Sequence, residues 1–144
     1  MKRIVPFAVL CLVAAIGAWS AVSGPAAEET PVAVPPEGDA LVGIVLPDTL
    51  SPRAIQGEVG FQAICASCHG DNGVGRNGMG PPLIHRIYEP SHHGDESFQL
   101  AVKRGVRAHH WRFGDMPPVS GLTRADVTSI TTFIREIQRA NGIF

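Results

Sequence analysis

Cys65 and Cys68 lie three positions apart, and His69 follows directly. Two thiols at that spacing can add across the two vinyl groups of one haem, and the adjacent imidazole can bind its iron. Cys65-Ala66-Ser67-Cys68-His69 therefore fits a covalent haem attachment site. The competing chemistries lack their companions. A thioredoxin-like C-x-x-C needs a βαβ pattern beside it, whereas Gly70-Asp71-Asn72-Gly73 and Pro81-Pro82 flank this one. A structural zinc site needs four ligands, and there is no second C-x-x-C and no H-x-x-x-H pair. Gly73-x-Gly75-x-x-Gly78 matches the dinucleotide fingerprint in letters only, because a strand should precede it and a helix should follow. These glycines are expected to form a tight turn around the cofactor edge.

Three helical patterns are available to position the site. Gly57, Phe61 and Cys65 step by four and share one helix face, with Pro52 near the start of that helix. Asp95 to Arg104 forms a shorter middle helix with Phe98, Ala101 and Val102 on one side and Gly105 as its C-terminal cap. Thr123-x-x-Asp126 has capping-box spacing and opens a segment carrying Val127, Ile130, Phe133, Ile134 and Ile137, with Asn141-Gly142 as the stop.

Taken together, Gly57-x-x-x-Phe61-x-x-x-Cys65-x-x-Cys68-His69-Gly70, Gly80-Pro81-Pro82-Leu83, Met116-Pro117-Pro118 and the C-terminal helix resemble the class I c-type cytochromes of the monohaem, bacterial periplasmic type. The resemblance covers nearly all of residues 53–141. It implies an all-α fold, a small cytochrome c domain of three to four helices wrapped around one covalently attached haem c. It also implies that the first and last helices cross where Gly57 and Phe61 meet Ile130 and Phe133. The Pro81 carbonyl would accept a hydrogen bond from the ring N–H of His69, and Leu83 would press on the haem face.

His69 is the proximal iron ligand by adjacency to Cys68. For the sixth position the thioether candidates are Met79 and Met116. If Pro81 is held beside His69, Met79 can reach only about 7 Å from it and cannot cross to the other face. Met116 can, and Pro117 pushes it into an extended conformation. Met116 is thus expected as ligand, with Met79, a histidine and an open site as the alternatives. Adjacent residues of an extended segment point in opposite directions, so neither His92-His93 nor His109-His110 is expected to chelate one ion as a pair, and all four are expected at the surface or the haem edge, hydrogen-bonding locally. Arg107, Trp111 and Arg112 are candidates for the haem propionates.

The chain of 144 residues carries a formal charge of −1. Lys2 and Arg3 precede an almost wholly apolar run from Ile4 to Trp19, so residues 1–23 are expected to be a signal peptide cut after Ser23, or else an uncleaved anchor. Residues 24–52 contain six prolines and five acidic residues but no Lys or Arg, which reads as a Pro-rich acidic linker; its one apolar stretch, Leu41 to Leu46, is the exception, with packing on the domain as a short strand left open. Residues 53–144 form the single domain. It is small for a core of its own, so the haem is expected to supply missing apolar volume.

Once Cys11 leaves with the signal, no thiol remains for a disulfide, and the export signal together with the haem motif implies a periplasmic address, where haem of this kind is attached. The domain has ten basic residues against eight acidic ones, too even a balance to name a partner's charge or to support nucleic-acid binding. The function expected is one-electron transfer without catalysis. The monomeric carrier would shuttle between periplasmic or membrane respiratory partners: an oxidase, a dehydrogenase or a copper protein. The alternatives are a haem-based peroxidase or gas sensor with a displaceable Met ligand, a cytochrome subunit of a dehydrogenase or oxidase complex, and a copper-handling surface built from His and Met.

Overall fold

Ser51 opens the first helix, its hydroxyl accepting from the Ala54 N–H at 3.2 Å while Pro52 fills the first helical position, where a missing N–H costs nothing. The computed structural model describes residues 33–144, so the expected signal peptide and the first part of the linker lie outside the described residues. Helix α1 spans Pro52–Gly60, a π-helical turn follows over Phe61–Cys65, and α2 spans Ala66–His69 without a break in the rod. The rest is α3 (Asp95–Arg104), α4 (Arg124–Ala140) and two 3-10 turns at Asp71–Gly73 and Arg86–Tyr88. Among the described residues there is no strand, only two isolated β-bridges, so the all-α expectation holds. None of these helices is long and apolar enough to cross a membrane.

The π turn departs from the regular four-residue ladder. The N–H of Ala66 bonds back to the Phe61 carbonyl, which widens one turn by a residue and re-aims everything after it. Phe61 stays fully buried while Cys65 is only half-buried.

Helix α4 begins with the expected capping box: the Asp126 N–H donates to the Thr123 hydroxyl at 3.2 Å, and the Thr123 N–H donates to the Asp126 carboxylate at 2.8 Å. Its buried face presents Val127, Ile130, Phe133, Ile134 and Ile137 to the core. Phe61 meets Phe133 with ring centroids 5.7 Å apart. At the crossing of α1 and α4 a Cβ on Gly57 would lie 1.9 Å from the Ser129 carbonyl oxygen, so only glycine permits this approach. Glu136 locks the same pair of helices, accepting from both the backbone N–H and the hydroxyl of Ser51 at 3.0 and 2.7 Å.

The described part of the expected linker is not a free tether. The Leu41 and Val42 N–H groups donate to the Val74 carbonyl at 3.2 Å, the Asn77 amide donates to the Pro35 carbonyl at 2.6 Å, and the Asn141 side chain brackets Val45 with bonds of 2.8 and 2.7 Å. Ile44 and Leu50 pack against the core. Residues 34–144 accordingly form one compact unit, which begins well before Arg53. The apolar stretch within this acidic segment explains the difference, because it gains more by covering α4 and the glycine turn than by staying in water.

A buried polar network ties α4 to the loop between residues 83 and 95. Arg135, 6% exposed, donates to Asp95 at 2.8 Å, to the Tyr88 carbonyl at 2.6 Å and to the His93 carbonyl. Gln138, fully buried, donates to the Leu83 carbonyl at 2.8 Å.

Candidate cofactor site

A cavity of about 530 Å³ opens between α2, α3, the start of α4 and the loop that leads to Met116. Cys65, Cys68, His69, Pro81, Leu83 and Met116 all line it, so the fold brings the six residues expected at the site to one place. Most of the wall is apolar: Phe61, Phe98, Val102, Val127 and Ile130 contribute.

His69 ends α2, and its Nδ1 donates to the Pro81 carbonyl at 2.9 Å. Burial holds this imidazole below the usual histidine range, with the bond to Pro81 opposing. The ring is therefore neutral at pH 7, with its proton on Nδ1 and the lone pair of Nε2 free. Pro81 reaches this position because the preceding turn doubles back tightly: Gly73, Gly75 and Gly78 all have positive φ, and the Leu83 N–H donates to the Gly73 carbonyl at 2.8 Å. The Gly-x-Gly-x-x-Gly run thus serves a turn beside the cavity. Cys65 and Cys68 are free thiols. Burial, and then the neighbouring Cys68, push the Cys65 thiol up to about 11.

Met116 sits on the opposite sequence limb. Its N–H and carbonyl both bond to Val106, each at 2.9 Å, closing the segment between them into a loop. Gly105, at φ 74, caps α3 and leaves room for this closure, since a Cβ there would lie 2.5 Å from the Met116 carbonyl oxygen. Met79 is 43% exposed and does not line the cavity.

Of the three propionate candidates only Trp111 lines the cavity; its buried Nε1 lies beside the Tyr88 hydroxyl without closing a full hydrogen bond among the described residues. Arg107 and Arg112 are exposed and outside the lining. His93, one of the histidines weighed above, also faces the cavity, as does Tyr88, to which the sequence assigned no role. Both lie in a segment without periodicity, which the buried Arg135 organises from a distant helix.

The residues fit a haem. The wall is apolar, two unpaired thiols and a neutral imidazole stand on one side, a thioether is available, and an unpartnered indole N–H would suit a carboxylate. No curated protein and no solved structure gives a significant match to this chain. The family model described as Cytochrome c matches residues 54–138, more than half of the chain, and with it come haem c as cofactor and electron carriage as the general role. Motif, helical architecture, cavity and family match coincide on the same residues, and the chain belongs to the cytochrome c family.

Proposed function

We propose that the protein is a one-electron carrier with a single haem c, bonded through Cys65 and Cys68 and ligated by His69 and Met116. The observation that carries this reading is the convergence of all four side chains on one apolar cavity, with His69 already oriented by Pro81. Bound haem supplies the ferric/ferrous couple.

The chain's own residues supply the rest. The Nδ1 bond to a neutral carbonyl aims the His69 Nε2 into the cavity without adding the negative charge of a carboxylate partner. A thioether at Met116 favours the reduced state and leaves no open coordination position. Phe61, Leu83, Phe98, Val127 and Ile130 exclude water, and Trp111 Nε1 offers a donor for a propionate.

The N-terminal pattern supports an exported, periplasmic protein, retained at a membrane if the segment is not cut. The partners we infer are respiratory redox proteins: an oxidase, a dehydrogenase or a copper protein. The protein would meet them as a monomer or serve as the cytochrome subunit of such a complex.

The deciding experiment is the absorption spectrum of the mature ferric protein, with and without Met116→Ala. A sulfur-to-iron charge-transfer band that disappears in the variant supports the assignment, together with no carbon monoxide binding by the ferrous wild type at neutral pH. Rapid carbon monoxide binding by the wild type would instead point to a peroxidase or gas sensor.

A further inference from the structure

Four histidines outside the attachment motif come together from two separate segments. His92 and His93 occupy a turn in which both N–H groups donate to the Glu89 carbonyl, at 3.0 and 2.8 Å. His109 and His110 stand on the loop that Val106 and Met116 close. Adjacent histidines in an extended segment would point apart, but the turn brings the rings of His92 and His93 to 4.6 Å between centroids. Their separations from the His110 ring are 5.4 and 5.3 Å. One ring nitrogen from each of His92, His93 and His110 lies within 4.8 Å of the other two.

Three imidazole nitrogens are a donor set for borderline divalent ions, and the affinity order places Cu2+ highest and Zn2+ close behind. His93 has the arrangement common among ligating histidines: its Nδ1 donates to the Ile87 carbonyl at 2.6 Å, leaving Nε2 as the free donor. Its backbone is fixed as well, because the buried Arg135 guanidinium holds the His93 carbonyl. Bonds of about 2 Å in a tetrahedral set bring nitrogens to about 3.3 Å from one another. His92 and His110 are exposed and free to rotate by that small amount around the anchored His93.

We propose that His92, His93 and His110 bind a divalent transition-metal ion, Cu2+ or Zn2+, at the rim of the cavity. His93 and His110 both line that cavity, so the ion would lie beside the haem while using none of the residues assigned to hold it. It would also join the turn before α3 to the loop carrying Met116. The inference goes beyond the proposed electron carriage and stands on the histidine geometry alone.

The test is calorimetric titration of the mature, tag-free haem-loaded protein with CuCl2 and, separately, with ZnCl2. One saturable equivalent is expected, weakened about tenfold or more in His92→Ala and in His110→Ala. Both side chains are exposed, so an unchanged far-ultraviolet circular dichroism spectrum in each variant would show that the fold is intact. Saturation by one salt and not the other would assign the ion. For copper, nitrogen hyperfine structure in the electron paramagnetic resonance spectrum should be present and should change in His110→Ala. Absence of saturable binding with either salt, or affinity unchanged in both variants, would overturn the proposal.

Discussion

Val106 and Met116 face each other as a hydrogen-bonded pair, each donating its N–H to the other's carbonyl at 2.9 Å. This closure fixes the backbone of Met116 at the end of α3, so its side chain is offered to the cavity by a braced residue. Met116→Ala removes the thioether but keeps both backbone bonds. The expected outcome is an intact fold, loss of the sulfur-to-iron absorption band and new binding of carbon monoxide to the ferrous protein. Absorption spectroscopy checks both. A variant with an unchanged spectrum would mean that the sixth ligand is another residue.

Gly57 sets the distance between α1 and α4. The Cβ of Gly57→Ala would fall 1.9 Å from the backbone carbonyl oxygen of Ser129, an atom that cannot swing aside. Overpacking of this kind is expected to cost about 3 kcal/mol. Gly43→Ala is the control, because nothing lies within 4 Å of the new methyl group. Denaturant titration of the two haem-loaded variants measures the contrast, and equal midpoints would refute the crossing as described.

Arg135 is buried among groups that need it: the carbonyls of Tyr88 and His93, the amide oxygen of Gln138 and the carboxylate of Asp95. Arg135→Met keeps most of the stem and removes the donors, so the Gln138 amide oxygen and the His93 carbonyl lose their partner at about 1–3 kcal/mol each, while the Tyr88 carbonyl keeps its bond from Gln138 Nε2 at 3.1 Å and the exposed Asp95 carboxylate turns to water. Lower stability is expected, together with faster amide exchange over residues 88–95. Exchange measured by mass spectrometry that is unchanged in that segment would show that the network does not hold the loop.

The capping box gives α4 a pH dependence. Hydrogen bonds from the Thr123 side chain, and then from its backbone, hold the Asp126 carboxyl below its ordinary value of 3.8. A carboxylate depressed in the folded state stabilises it above the unfolded value, and the contribution disappears as pH falls through the lower folded value. Asp126→Asn should therefore lower the melting temperature more at pH 7 than at pH 2. Thermal melts followed by circular dichroism at the two pH values decide, and an equal offset at both would remove Asp126 as the titrating group.

The haem attachment motif, three helices with their caps and the apolar faces were legible in the sequence because each depends on neighbours within a turn or two. Asp95 to Arg104 with its Gly105 cap, and Thr123 with Asp126, are local chemistry, and they occur where spacing placed them. The π turn at Phe61–Cys65 was not legible. A single widened turn leaves no mark on a four-residue step.

What the sequence by itself determined is the chemistry available: two thiols and a histidine at attachment spacing, two possible thioethers, and helices amphipathic enough to enclose an apolar group. Tertiary structure alone decided which of these side chains share a cavity. It left Met79 on the surface, seated Met116 against Val106, folded residues 34–51 onto the domain and gathered His92, His93 and His110 from segments 17 positions apart. The physical reason is that such contacts arise from buried partners far along the chain. Arg135, which organises the turn before α3 from 42 positions beyond His93, carries no local signal of that role.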